Sequence, residues 1–157
     1  MPTTSLPDWA LRPAAPEDVA AIAELRAVVM RPDLERLGRY DADRVRRRLR
    51  DSYSPEHTSI VEAADAFAGC VALRPAADCW WLEHFYLSPT LQRQGIGSAV
   101  LRTLLDRADA ERAPVRLNVL QGSPARRLYE AHGFALERED PVDVFLVRGP
   151  APDTGSF

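Results

Sequence analysis

Apolar residues recur along this chain with two periods, and the changes of period divide it into elements. Positions 58–62 and 67–73 are short apolar, β-branched runs that read as two strands joined by a tight turn near Ala64 and Asp65. Positions 80–87, WWLEHFYL, read as a third, aromatic-rich strand stopped by Ser88-Pro89. The stretch 9–12 is a shorter strand and 115–120 another, while 134–137 and 142–147 read as a closing hairpin.

Elsewhere the period lengthens to three and four. Val19, Ile22, Ala23, Leu25 and Val29 mark an amphipathic helix, with Pro16 tolerated in its first turn. Residues 30–40 read as a linker or a broken helix. Asp41 can cap a second helix running to about Arg50, with Val45 and Leu49 facing inward. Ile96, Val100, Leu101, Leu104, Leu105 and Ala108 mark a third helix, to about Glu111. Ser123-Pro124 opens a fourth through Leu128, Tyr129 and Ala131, and Gly133 suits its left-handed C-terminal position. The order β-α-α-β-β-β-α-β-α-β-β predicts a mixed sheet with helices on its faces, not a repeating βαβ series.

Composition narrows this picture. The 157 residues suffice for one domain, read as 8–148, with Pro-, Gly- and Ser-rich ends at 1–7 and 149–157 expected to be loose tails. Hydrophobic content of 46% and charged content of 27% are those of an ordinary soluble protein. No apolar run approaches the ~20 residues of a membrane span. The first residues show neither a basic nor an apolar signal region, so a cytoplasmic location and no membrane partner are expected. The net charge of −3 gives no general pull toward nucleic acid. Cys70 and Cys79 stand outside any CxxC or Cys/His cluster, which argues against structural zinc or a disulfide framework, and no metal is expected.

The chemistry concentrates in LQRQGIGSAV, residues 91–100, which places two glycines at the start of a helix. The first N–H groups of a helix lack internal partners and its dipole makes that end partly positive, so such an end binds phosphate. Gly95 and Gly97 remove side chains that would hold an anion away, Arg93 adds charge and Ser98 adds a hydroxyl. A P-loop requires Gly-Lys-[Ser/Thr], and all twenty basic residues here are arginine. The dinucleotide fingerprint fails at its third glycine, where Val100 stands.

The remaining pattern, Gln92-x-x-Gly95-x-Gly97, resembles the acetyl-CoA pyrophosphate loop of the GCN5-related N-acetyltransferases, the GNAT family. The preceding Phe85-Tyr-Leu-Ser-Pro89 is similar to that family's fourth strand. The later Ser123-Pro-Ala-Arg-Arg-Leu-Tyr-Glu-Ala-His-Gly-Phe134 is similar to its second motif, with Ser123 where the family often has Asn. The resemblance spans about 8–148 and is strongest over 80–134.

It implies an α/β GNAT fold with a central, mostly antiparallel mixed sheet of six to seven strands and about four helices. It also implies an acyltransferase carrying an acetyl group from acetyl-CoA to a primary amine of a small molecule or peptide, by direct attack in a ternary complex. The family's fourth and fifth strands splay apart around the pantetheine arm. Carried over, Phe85, Tyr86 and Leu87 would hold that arm, and Gln92, Arg93, Gln94, Gly95, Ile96, Gly97 and Ser98 the pyrophosphate. Asn118, Ser123 and Arg126 are further candidate cofactor contacts. Tyr129 matches the tyrosine that protonates the leaving thiolate, and Glu83 the position of a general base for the amine. His84 would point to the opposite face of a regular strand. Either a monomer or a homodimer fits the resemblance. The alternative is a non-catalytic acyl-CoA-binding or regulatory module on the same fold.

The acceptor side is less legible. Arg44, Arg46, Arg47, Arg48 and Arg50 make the second helix densely basic and could hold an acidic group of the acceptor, whereas Asp33, Glu35 or Asp41 could attract a cationic amine. The sequence does not choose between them.

Overall fold

A computed structural model describes residues 8–150. The expected tails at 1–7 and 149–157 lie outside the described residues, apart from positions 149 and 150. The strands are β1 (Trp9–Pro13), β2 (Thr58–Ala63), β3 (Ala66–Pro75), β4 (Trp80–Leu87), β5 (Val115–Leu120), β6 (Ala135–Glu139) and β7 (Asp143–Arg148). The helices are α1 (Val19–Arg36), α2 (Ala42–Ser52), α3 (Ile96–Ala110) and α4 (Ala125–Ala131). The strands form one seven-stranded sheet in the order β1-β2-β3-β4-β5-β7-β6. Only the β4–β5 pair is parallel. The expected α/β fold class, with its mostly antiparallel mixed sheet, is therefore what the chain adopts. The closing hairpin folds back so that β7, not β6, lies beside β5.

Each face of the sheet carries its own apolar layer. On one side, α3 contributes Ile96, Val100, Leu101, Leu104, Leu105 and Ala108 against sheet residues such as Val71, Leu82, Leu117 and Leu146. On the other, Ile22 and Ala23 of α1 and Leu49 of α2 close over Ile60 and Cys70. The free thiols Cys70 and Cys79 are buried, and burial pushes the Cys70 thiol up to about 12, so it is an inert core group.

Local signals explain most boundaries. Asp41 Oδ1 accepts the N–H groups of Asp43 and Arg44 at 3.0 and 2.9 Å and so caps α2. Residues 30–40 correct the expectation of a linker, because α1 runs through Pro32 to Arg36. Proline removes only its own N–H bond to the carbonyl of Val28. The pairs Arg31–Glu35 and Asp33–Arg36 lie on neighbouring turns and support the last stretch of the helix.

Strand β4 holds the second departure from a regular pattern. Ala72 pairs with Glu83 and Cys70 with Tyr86, so two residues, His84 and Phe85, oppose the single Val71. His84 sits at φ +48°, as the extra residue of a bulge commonly departs from strand geometry. The bulge reverses the alternation of side chains. Leu82, Phe85 and Leu87 all face the α3 layer, while Tyr86 faces α1 and α2.

Candidate active site

Strands β4 and β5 pair only at Trp80–Val115 and Trp81–Arg116. Beyond that point they separate, and residues 82–86 of β4 and 117–120 of β5 line opposite walls of one cavity of about 790 Å³. Its remaining walls come from α1, α2, the start of α4 and the turn between β6 and β7. The bulge at His84 and Phe85 falls within the part of β4 that has left β5.

The glycine turn follows β4 in the chain, between Leu87 and α3, and its own residues do not line this cavity. Gly95 is the residue before the first turn of α3 and takes φ +85°, a conformation open to glycine at little cost. Arg93 is also left-handed, at φ +65°. Gln92 donates its side-chain amide to Leu87 O at 3.1 Å, and Gln94 donates to Thr90 O at 2.9 Å. Both glutamines therefore build the loop from within. The side chain of Ile96 is fully buried, which leaves only its backbone N–H to meet a ligand. Gly97 lies against Leu87 and Leu128, with room for a Cβ at ordinary contact distances.

Ser98 shows a contact that the sequence did not announce. His132 Nδ1 lies 2.9 Å from Leu128 O and must carry the hydrogen there. Its Nε2 is then a lone pair, and the Ser98 hydroxyl donates to it at 3.0 Å. Ser123 Oγ accepts from Ala125 N–H at 3.2 Å, the capping contact expected of it. Arg126 pairs with Glu130 at 3.4 Å along α4, and Asn118 donates to Asp143 Oδ1 at 3.0 Å on the adjoining β7.

Tyr129 is buried against Phe134, with ring centroids 5.7 Å apart in an edge-to-face arrangement. Its hydroxyl has no hydrogen-bond partner among the described residues, and the residue lines the cavity. Burial, and then the charge of Tyr86, hold its phenol well above the ordinary value, so it stays protonated.

The two base candidates sit in different surroundings. Arg74 from β3 grips Glu83, at 2.7 and 3.3 Å to its two oxygens. Next to it, the bulge corrects the expectation that Glu83 and Phe85 share a face with His84 opposite. His84 instead reaches α2, and Phe85 packs toward α3. The hydrogen-bond directions around His84 follow from donor counting. Ser52 Oγ donates to Arg48 O at 2.8 Å, so His84 Nε2–H donates to Ser52 Oγ at 2.9 Å. Nδ1 of the neutral ring then accepts from the Tyr86 hydroxyl at 3.1 Å, and Tyr86 Oη accepts from Arg26 Nε at 3.0 Å. Burial and the nearby Arg26 hold His84 below the usual histidine range, which keeps the ring neutral. Burial pushes the Tyr86 phenol up to about 12. Within this hydrogen-bonded chain, the sequence points to Tyr86 only as a cofactor contact and to His84 only by its strand face. Ser52, one turn beyond Arg48, gave no signal of its own.

A sequence profile of the acetyltransferase (GNAT) family matches residues 20–134. The chain belongs to that family. Solved structures agree on the fold of this GNAT protein. A PaiA N-acetyltransferase from Thermoplasma acidophilum, in complex with coenzyme A, is 20% identical with a TM-score of 0.74, covering 90% of this chain and 99% of that one. The ribosomal-protein-S18-alanine N-acetyltransferase of Escherichia coli is 16% identical with a TM-score of 0.71, covering 96% and 99%. N-acetylglutamate synthase from Neisseria gonorrhoeae, complexed with coenzyme A and L-arginine, is 23% identical with a TM-score of 0.64, covering 92% of this chain but 34% of that one. A search of curated proteins by sequence found no match. Among the described residues of this GNAT chain, no group of three or more His, Cys, Asp or Glu side chains is placed to hold a metal ion, and no helix is long and apolar enough to cross a membrane.

Proposed function

We propose that this protein is an N-acetyltransferase that moves an acetyl group from acetyl-CoA to a primary amine by direct attack in a ternary complex. The observation that carries this reading is one juxtaposition. The splay of β4 from β5 and the unpartnered hydroxyl of Tyr129 meet at one cavity, and the glycine turn at the head of α3 follows directly on the β4 wall of that cavity.

The residues present fit a coenzyme A group. The unpaired N–H groups of the first turn of α3, with Gly95 and Gly97 free of side chains and Arg93 beside them, form a seat for a pyrophosphate. The free edge of β4 at Phe85 and Leu87 offers backbone groups to an extended pantetheine arm, as an added strand would use them. The loop glutamines support this from behind, since Gln92 orients the end of β4. Acetyl-CoA supplies an activated thioester. Tyr129, neutral and aimed into the cavity, donates a proton to the departing sulfur.

Removing the amine's proton is the task of β4. Glu83 is the base anticipated from the sequence, acting directly or through water. Arg74 engages both of its carboxylate oxygens. His84 is favoured by a specific observation. Its Nδ1 accepts the Tyr86 hydroxyl, so an amine proton taken up at Tyr86 Oη would be matched by transfer of the hydroxyl hydrogen to Nδ1, within the acceptor wall of the cavity.

Calorimetric titration with acetyl-CoA, run beside a Gly97→Asp variant, tests the reading. Micromolar binding by the wild type that is lost in the folded variant supports it. Absence of binding by the wild type overturns it.

A further inference from the structure

The amine wall of the cavity carries both signs of charge, and the structure sorts them. Of the acids that line it, Asp33 is held by Arg36 at 2.7 Å and Glu83 by Arg74 at 2.7 Å. Asp41 is occupied by the cap of α2, and Asp140 accepts the N–H groups of Val142 and Asp143 at 2.8 and 2.7 Å. Asp143 accepts from Asn118. Every one of these carboxylates already serves the fold.

The arginines of α2 divide differently. Arg46 is spent on Glu24 of α1, at 2.8 and 3.0 Å. Arg44 and Arg48 line the cavity, and neither guanidinium makes a hydrogen bond, or an ion pair within 4 Å, among the described residues. Arg44, Arg48 and Ser52 are spaced by four, so they form a stripe along one face of α2. Ser52, at the foot of the stripe, holds His84. The helix positions of Arg48 and Arg44 therefore stand four and eight residues from the serine that holds the imidazole, or about 6 and 12 Å along the axis.

We propose that the acceptor is an amine that also bears a carboxylate or phosphate several bonds away, with Arg44 and Arg48 holding the anion while the amino group lies at His84 and Tyr86. This rests on the acetyl-transfer reading above. The planar guanidinium offers paired donors that match either anion, and the stripe sets the distance between the two ends of the acceptor. A diamine would bring its second cation against two arginines that make no ion pair within 4 Å among the described residues, so this wall selects against polyamines.

The experiment compares amines in matched pairs: γ-aminobutyrate with putrescine, and phosphoethanolamine with ethanolamine. Acetyl-CoA binding is first measured by calorimetry for the wild type, Arg44→Gln and Arg48→Gln, with thermal melts to establish folding. Release of free coenzyme A thiol then gives kcat and KM for each amine. The expected result is a kcat/KM at least tenfold higher for the anionic member of a pair. Each arginine variant should raise the KM for that member by roughly 10- to 100-fold, as loss of a charged hydrogen bond implies, with kcat changed far less. The preference within the pair should fall toward one, and added salt should weaken it in the wild type. No binding of acetyl-CoA overturns the acetyl-transfer reading itself. With acetyl-CoA bound, three results overturn the acceptor class alone: preference for putrescine or ethanolamine, no turnover of either anionic amine, or a KM change shared equally by both members of a pair.

Discussion

Ser98, one turn into α3, donates its hydroxyl hydrogen to Nε2 of His132 at the end of α4, across 3.0 Å. The two helices otherwise bring separate halves of the candidate site, the glycine turn and Tyr129. The contact joins them, and the backbone carbonyl of His132 is held in turn by Arg148 Nε at 3.0 Å, whose guanidinium pairs with Asp109. His132→Ala should cost about 1 kcal/mol, the net worth of a hydrogen bond of this kind. It should also weaken acetyl-CoA binding several-fold, because the head of α3 loses its tie. Thermal melts and calorimetry read the two effects, and a variant with wild-type melting and affinity would remove the proposed coupling.

Tyr129→Phe separates chemistry from stability. The hydroxyl has no partner among the described residues, while the ring packs on Phe134, so the variant should melt within about 0.5 kcal/mol of the wild type. If the phenol protonates the leaving thiolate, kcat should fall by roughly 10²–10⁴, the range of general acid catalysis. Because burial raises its titration above the ordinary value of 10.0, no falling limb assignable to Tyr129 should show below that pH. An unchanged kcat in the folded variant sinks the acid role.

His84 and Glu83 are told apart by pH. The His84 titration is lowered below its ordinary 6.5 by burial first and Arg26 second. Activity that needs its neutral ring should rise with pH through a midpoint below 6.5 and level off above it. The same depression has a sign in stability. The unfolded chain binds the proton more readily than the folded one, so stability is complete above 6.5 and declines as pH falls toward the folded midpoint. His84→Gln should remove both the kinetic limb and this part of the stability slope. If Glu83→Gln abolishes the limb while His84→Gln preserves it, the base is Glu83.

Gly69 tests the bulge in β4. A Cβ at this position would lie 2.2 Å from the carbonyl oxygen of Tyr86 and 3.1 Å from Leu87 Cα. Both are backbone atoms just past the bulge, so β3 or β4 must move to admit a methyl group. Gly69→Ala should cost about 1–3 kcal/mol, as overpacking does. For a domain of this size each kcal/mol lowers Tm by roughly 2–4 °C. Acetyl-transfer activity should fall with it, since β4 forms one wall of the cleft. Unchanged Tm and activity would show that the strands are not held this closely.

Much of this was legible in the sequence because it is local. The cap at Asp41, the left-handed Gly133, the three-and-four spacing from Ile96 to Ala108 and the capping hydroxyl of Ser123 each depend on residues within a turn or two. The strand and helix order, and with it the mixed sheet, follow from such signals. Residues 30–40 read as a linker or a broken helix, whereas α1 runs through Pro32 to Arg36, supported by the ion pairs Arg31–Glu35 and Asp33–Arg36.

What the tertiary structure decided is whatever depends on partners distant in sequence. A single extra residue at His84 reversed the faces of β4, and no spacing rule reveals a bulge whose cause is the register with β3. Arg74 reaches Glu83 only across a hairpin, Ser98 meets His132 only when α3 and α4 pack, and Ser52 meets His84 only when α2 lies on the sheet. The same holds for charge. The twelve acids and bases from Arg31 to Arg50 were equivalent as letters, and packing determined which were neutralised and which two arginines of α2 were left facing the cavity. Covalent spacing dictates local geometry, but an electrostatic or hydrogen-bonding role is set by what lies within a few ångströms, and only the folded chain brings those groups together.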